Sequence, residues 1–138
     1  MRRGKTRTLD VMNANEVSIL SPATIEYSDQ NEAFAPYLPR SGKLVSRLSD
    51  VQGNDDWFLV ALDAPFAYQV KFGEPYRFKE IVVSYFLIRS RWSGHTIGGP
   101  EPMSVFILLA SDPALAAGAV IDPAQFIQAA WGMCRAGA

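Results

Sequence analysis

Val120–Ala138 reads VIDPAQFIQAAWGMCRAGA, and whether it is helix or strand decides the fold. Asp122 is a residue type that caps helices, and Pro123 suits a first helical position. Phe126, Ile127, Ala130, Trp131 and Cys134 then recur at three- and four-residue spacing, with Gln125 and Gln128 off that face. The spacing predicts an amphipathic helix that ends near Gly137 and packs on a sheet. SDPALAAG just before it repeats the device in miniature. Ser111 or Asp112 caps, Pro113 enters the first turn and Gly118 stops a short helix.

Upstream the period changes from that of helices to that of strands. Ala23–Ser28 (ATIEYS) alternates weakly and reads as a strand. The loop after it holds a turn of helix over Asn31–Ala35 that should end before Pro36. Leu44–Leu48 and the apolar run Trp57–Leu62 read as strands, the second buried. Asp63-Ala64-Pro65 reads as a turn. In FAYQVKF, Phe66, Tyr68, Val70 and Phe72 point one way and Ala67, Gln69 and Lys71 the other, the mark of a strand with one wet face. Gly73-Glu74-Pro75 turns the chain again.

Lys79–Arg91 reads as the longest strand, with Ile81, Val83, Tyr85 and Leu87 on one face and Arg89 and Arg91 continuing it as charges. Both faces are apolar in the middle, which predicts a strand covered on both sides. Met103–Ala110 is its partner, and RSRWSGHTIGGPEPM joins the two as a wide hairpin. Strands first and helix last predicts an α+β fold. Its sheet is curved and mainly antiparallel, with a short helix and the C-terminal helix packed on it; a small open barrel is the nearest alternative. The 138 residues are the usual size of one domain.

The formal net charge is −1 and the composition is 49% hydrophobic and 20% charged, which excludes a surface that is nucleic-acid footprint throughout. The charge is uneven. Arg2, Arg3, Lys5 and Arg7 crowd the start, which leaves nine of the 13 bases against 14 acids in the remainder. Residues 1–8 thus read as a flexible basic arm. Cys134 is the only cysteine, so no internal disulfide forms. The basic start is not followed by an apolar h-region, so no signal peptide is expected, and apolar runs stay under about 10 residues where a membrane helix needs about 20. The expected location is the cytoplasm, with no membrane partner.

No motif carries chemistry by its spacing. His95 and Cys134 are far apart and no ligand pair accompanies them, so neither metal nor cofactor is expected. Asp50, Asp55 and Asp56 cluster in SDVQGNDD without the spacing of a calcium loop, and read as a polar turn. Gly94, Gly98 and Gly99 match no phosphate loop. WSGHT lacks the GxSxG elbow of a serine hydrolase.

What remains is a surface: Arg89, Arg91, Trp92 and His95 crowd the end of a central strand and its loop. Arginine and tryptophan are the side chains that dominate binding energy at interfaces. The leading expectation is a non-catalytic binding protein that acts on another protein. In general look it resembles small interaction proteins of the immunity, inhibitor or accessory type. Two alternatives stay open. One is nucleotide or nucleic-acid binding through the basic arm and the Arg89/Arg91/Trp92 loop. The other is a small enzyme with His95 as general base. A homo-oligomer is compatible with long apolar strands in a small chain.

Overall fold

The computed structural model describes residues 21–91, 99–111 and 120–136. The basic arm, Trp92, His95 and the helix read over Pro113–Gly118 lie outside the described residues.

The described strands are β1 (Pro22–Asp29), β2 (Arg40–Leu48), β3 (Trp57–Phe72), β4 (Arg77–Ser90), β5 (Gly99–Ala110) and β6 (Ile127–Ala136). Each pairs antiparallel with the next, and β6 returns to β1 to close a barrel. The expected α+β fold is therefore replaced by an all-β closed barrel, in which the predicted C-terminal helix is the closing strand. The helical turns among the described residues are two short 3-10 segments, Glu32–Tyr37 and Pro123–Gln125. Asp122 does cap: its carboxylate accepts from the Ala124 N–H at 3.1 Å. The helix it starts stops after Gln125.

A β-bulge explains the misleading spacing. Ile107 pairs with Ala130 and Leu108 with Gln128, so Ala129 is an extra residue in β6. Ala129, Ala130 and Cys134 are all buried in the barrel interior, with Ile127 packed against them. The step of three from Ile127 to Ala130 is the bulge. The step of four from Ala130 to Cys134 is two strand repeats whose middle residue, Gly132, has no side chain to register as apolar. Gly132 is there because the walls meet closely. A Cβ on it would lie 2.7 Å from the Glu26 carbonyl oxygen and 2.8 Å from Ile107 Cδ1.

The interior is filled from every strand. Ile25, Leu44, Val60, Phe86, Ile88, Val105 and Ile107 are each 0% exposed, the packing a barrel of this size needs. The Glu32–Tyr37 helix runs through Pro36 rather than ending before it and plugs one end with Phe34. The Phe34 ring lies 5.4 Å from both Tyr37 and Tyr68.

The outer wall of β3, β4 and β5 is covered too. Leu48, Trp57, Leu59, Leu87, Leu108, Ala110 and Ile121 form a second buried cluster. The cover includes the turn after β2 and the segment before β6. Val51 N–H donates to the Ile121 carbonyl and Ile121 N–H to that of Ser49, each at 2.9 Å. The two-sided covering expected for the central strands is thus present.

One strand reading is corrected. Asp63-Ala64-Pro65 does not end a strand; β3 runs on to Phe72 and is longer than β4. Residues 62–65 form a large irregularity between the Ala61–Tyr85 and Phe66–Val83 pairs. Across it β4 slips its alternation by one. Ile81 and Val83 belong to the inner cluster, whereas Tyr85 and Leu87 belong to the outer one.

Candidate functional site

Beyond Tyr85, β4 alternates cleanly, with Phe86 and Ile88 inward and Leu87, Arg89 and Arg91 on the outer wall. Arg89 pairs across to Trp57 on one side and Phe106 on the other; Phe106 in turn pairs with Trp131 of β6. This register lines up outward side chains from four neighbouring strands. They border a cleft of about 530 Å³ whose walls include Trp57, Arg89, Arg91, Phe106, Gln128 and Trp131, with Asp50 and Gln52 at one side. A second hollow of about 300 Å³ lies beside it, sharing Phe106, Gln128 and Trp131 and bounded by Gln30 and Asn31.

The side chains are held in place. Trp57 and Phe106 meet edge to face at 6.3 Å, and Phe106 and Trp131 tilt together at 4.9 Å, within the range where ring pairs attract. Arg89 Nε donates to Asp56 Oδ1 at 2.8 Å. Arg91 lies over the Trp131 ring, its guanidinium carbon 4.8 Å from the centroid, and its Nη1 is 3.7 Å from Asp29 Oδ2. Asp29 Oδ1 is buried without a hydrogen-bond partner among the described residues.

Asp50 anchors the side of the cleft. Its Oδ1 accepts from the backbone N–H of Gln52 at 2.9 Å and of Asn54 at 3.0 Å. Its Oδ2 accepts from Asn54 Nδ2 at 3.0 Å and from Trp57 Nε1 at 2.9 Å. Burial alone would raise its pKa; the donors of Trp57, Asn54 and Gln52 outweigh it and bring the carboxyl down to about 2. The group is a structural anion that orients the Trp57 indole, and Gly53 at φ +92° makes the tight turn around it. The expected polar turn is therefore present. Its other acids point elsewhere: Asp55 faces Arg47 and Asp56 faces Arg89. Among the described residues no three His, Cys, Asp or Glu come together as a metal site.

The structure thus brings Arg89 and Arg91 together at one cleft, while Trp92 and His95 lie outside the described residues. Cys134 is buried, and desolvation pushes its thiol up to about 12, which makes it an unreactive core residue. The sequence reading missed Trp131 and Phe106. Helical spacing puts Trp131 on the apolar face of a helix, and nothing in Met103–Ala110 sets Phe106 apart from its apolar neighbours; both are half-buried on the outer wall. Strand alternation carries the signal for Trp131, a large ring between inward-facing Ala130 and Gly132. No protein-family model matches this chain, and neither does any curated protein or solved structure.

Proposed function

We propose that this protein is a non-catalytic binding module that holds a segment of another protein in the cleft of its outer wall. The observation that carries this is the convergence of Arg89, Arg91, Phe106 and Trp131 on one cleft, each pinned by a ring contact or an ion pair. Side chains fixed before the partner arrives lose little entropy on binding, and tryptophan and arginine are the types that anchor interfaces. The occupant suited to this lining is an extended segment with an apolar or aromatic side chain against Phe106 and Trp131 and a carboxylate toward Arg91.

The charges favour a peptide over a nucleic acid. Two guanidinium groups share this wall with the carboxylates of Asp50, Asp56 and Asp29, whereas a phosphate-tracking groove is dominated by cations. Stacking of bases on Phe106 and Trp131 is the second reading, supported by those rings and the Arg91 guanidinium above Trp131. The two separate by salt. Phosphate contacts lose affinity steeply with ionic strength, whereas an aromatic-anchored peptide loses little.

The test is selection of a random peptide library on the immobilised protein, followed by titration of the selected peptide. The Arg91→Ala/Trp131→Ala variant should bind it at least about 30-fold more weakly. Equal binding by a folded variant contradicts the reading.

A further inference from the structure

β4 pairs with β5 only over Tyr85–Ser90, and β3 pairs with β2 only over Trp57–Leu62. Among the described residues, the two strands pair only with each other from Phe66 and Val83 down to Phe72 and Arg77. This half of the hairpin is a two-stranded ribbon that leaves the barrel. Its root is fixed by Tyr68 against Phe34 and Tyr37. Its tip keeps three large rings in solvent: Phe72 is 47% exposed, Tyr76 64% and Phe78 66%.

The rings are interleaved with cations. Phe72 stands opposite Arg77 and Lys71 opposite Phe78. Successive residues of a strand face opposite ways, so each face of the ribbon presents one ring beside one cation. Lys71 Nζ also lies 3.8 Å from the centre of the Tyr76 ring at the turn. Residues 70–79 hold Lys71, Arg77 and Lys79 against Glu74 alone, in a chain whose formal net charge is −1. A contact with one flat protein surface would call for rings on one face. Rings and cations on both faces and at the turn suit a medium that surrounds the tip.

We propose that the ribbon tip inserts into the interface of an anionic lipid bilayer. Phe72, Tyr76 and Phe78 enter the boundary between headgroups and acyl chains, where amphipathic rings settle. Lys71, Arg77 and Lys79 stay at the level of the lipid phosphates and carboxylates, with their aliphatic stems along the rings. This requires no spanning segment, and no helix among the described residues is long and apolar enough to cross a membrane. The cleft lies at the opposite end of β4, about 40 Å of strand away, so tip and cleft can be occupied together. The inference does not depend on the cleft's occupant.

The experiment is co-sedimentation of the full chain with vesicles of phosphatidylcholine and phosphatidylserine at 70:30, with pure phosphatidylcholine in parallel. The wild type should bind the anionic vesicles and scarcely bind the neutral ones. Replacing Lys71, Arg77 and Lys79 together by Gln should weaken binding about 100-fold, near five-fold per cation. Phe72→Ser/Phe78→Ser should weaken it about ten-fold or more. These side chains are exposed, so the melting temperature should stay put; Tyr76→Trp adds a direct readout. Its fluorescence should shift to the blue on anionic vesicles and be quenched by lipids brominated in the upper acyl chain. Failure to sediment overturns the proposal, as does undiminished binding by the Phe72→Ser/Phe78→Ser variant. Self-association that this variant abolishes, in a chain that ignores vesicles, also overturns it and assigns the tip to a second copy.

Discussion

The β3–β4 hairpin has two halves made of the same two strands, and they live in different surroundings. In the barrel half, Trp57–Ala61 against Tyr85–Arg89, inward Phe58, Val60, Phe86 and Ile88 fill the interior while Leu59 and Leu87 lie under the outer cover. In the ribbon half, Phe66–Phe72 against Arg77–Val83, burial fades from Phe66 and Val83 to a fully wet tip. Aromatic side chains occur in both. A ring flanked by aliphatic neighbours on a twice-paired strand is structural; a ring opposite a cation on a once-paired strand is surface. The irregularity at residues 62–65 is the border between the two.

The largest expected effect lies in the barrel half. Phe86→Ala removes a ring that is 0% exposed and touches Phe34 and Phe66, and should cost about 3–5 kcal/mol in urea unfolding. Phe78→Ala, on the same strand, should cost no more than about 0.5 kcal/mol. Similar losses for the two would erase the distinction between the halves.

Next comes barrel closure. Gly132→Val places a branched side chain against the Glu26 carbonyl and Ile107, and should cost about 3 kcal/mol through overpacking that backbone cannot relieve. A variant as stable as the wild type would show that β6 does not close the barrel as described.

Asp50→Ala should cost about 2 kcal/mol, since it leaves Trp57 Nε1 buried without its charged acceptor. The same carboxylate sets a pH dependence. Its folded pKa is lowered from the ordinary 3.8 to about 2, so its stabilisation is fully present above about pH 4 and fades as pH falls toward 2. Urea midpoints measured from pH 5 to pH 2 should fall more steeply for wild type than for Asp50→Asn; parallel curves would remove Asp50 from this role.

The distinction between the halves was partly legible in the sequence. The alternation of Phe66, Tyr68, Val70 and Phe72 gives the ribbon's faces, and Gly73-Glu74-Pro75 gives its turn. The doubly apolar middle of β4 gives a strand covered twice. The final strand was not legible, because the bulge at Ala129 and the absent side chain of Gly132 together imitate helical spacing. That error also hid half of the cleft. Arg89 and Arg91 stand out as charges that end an apolar strand. Trp131, once assigned to a helix, could not be set beside them; only barrel closure brings β6 against β5.

The central claim is that the outer-wall cleft, rather than the ribbon, receives the protein partner. Its most direct test follows the indole N–H resonances and backbone amides while a library-selected peptide is titrated in. The account predicts shifts at Trp131, Phe106, Arg91 and Gln128, none at Phe72–Phe78, and their loss in Arg91→Ala/Trp131→Ala. Shifts concentrated at Phe72–Phe78 with a silent Trp131 indole would contradict it.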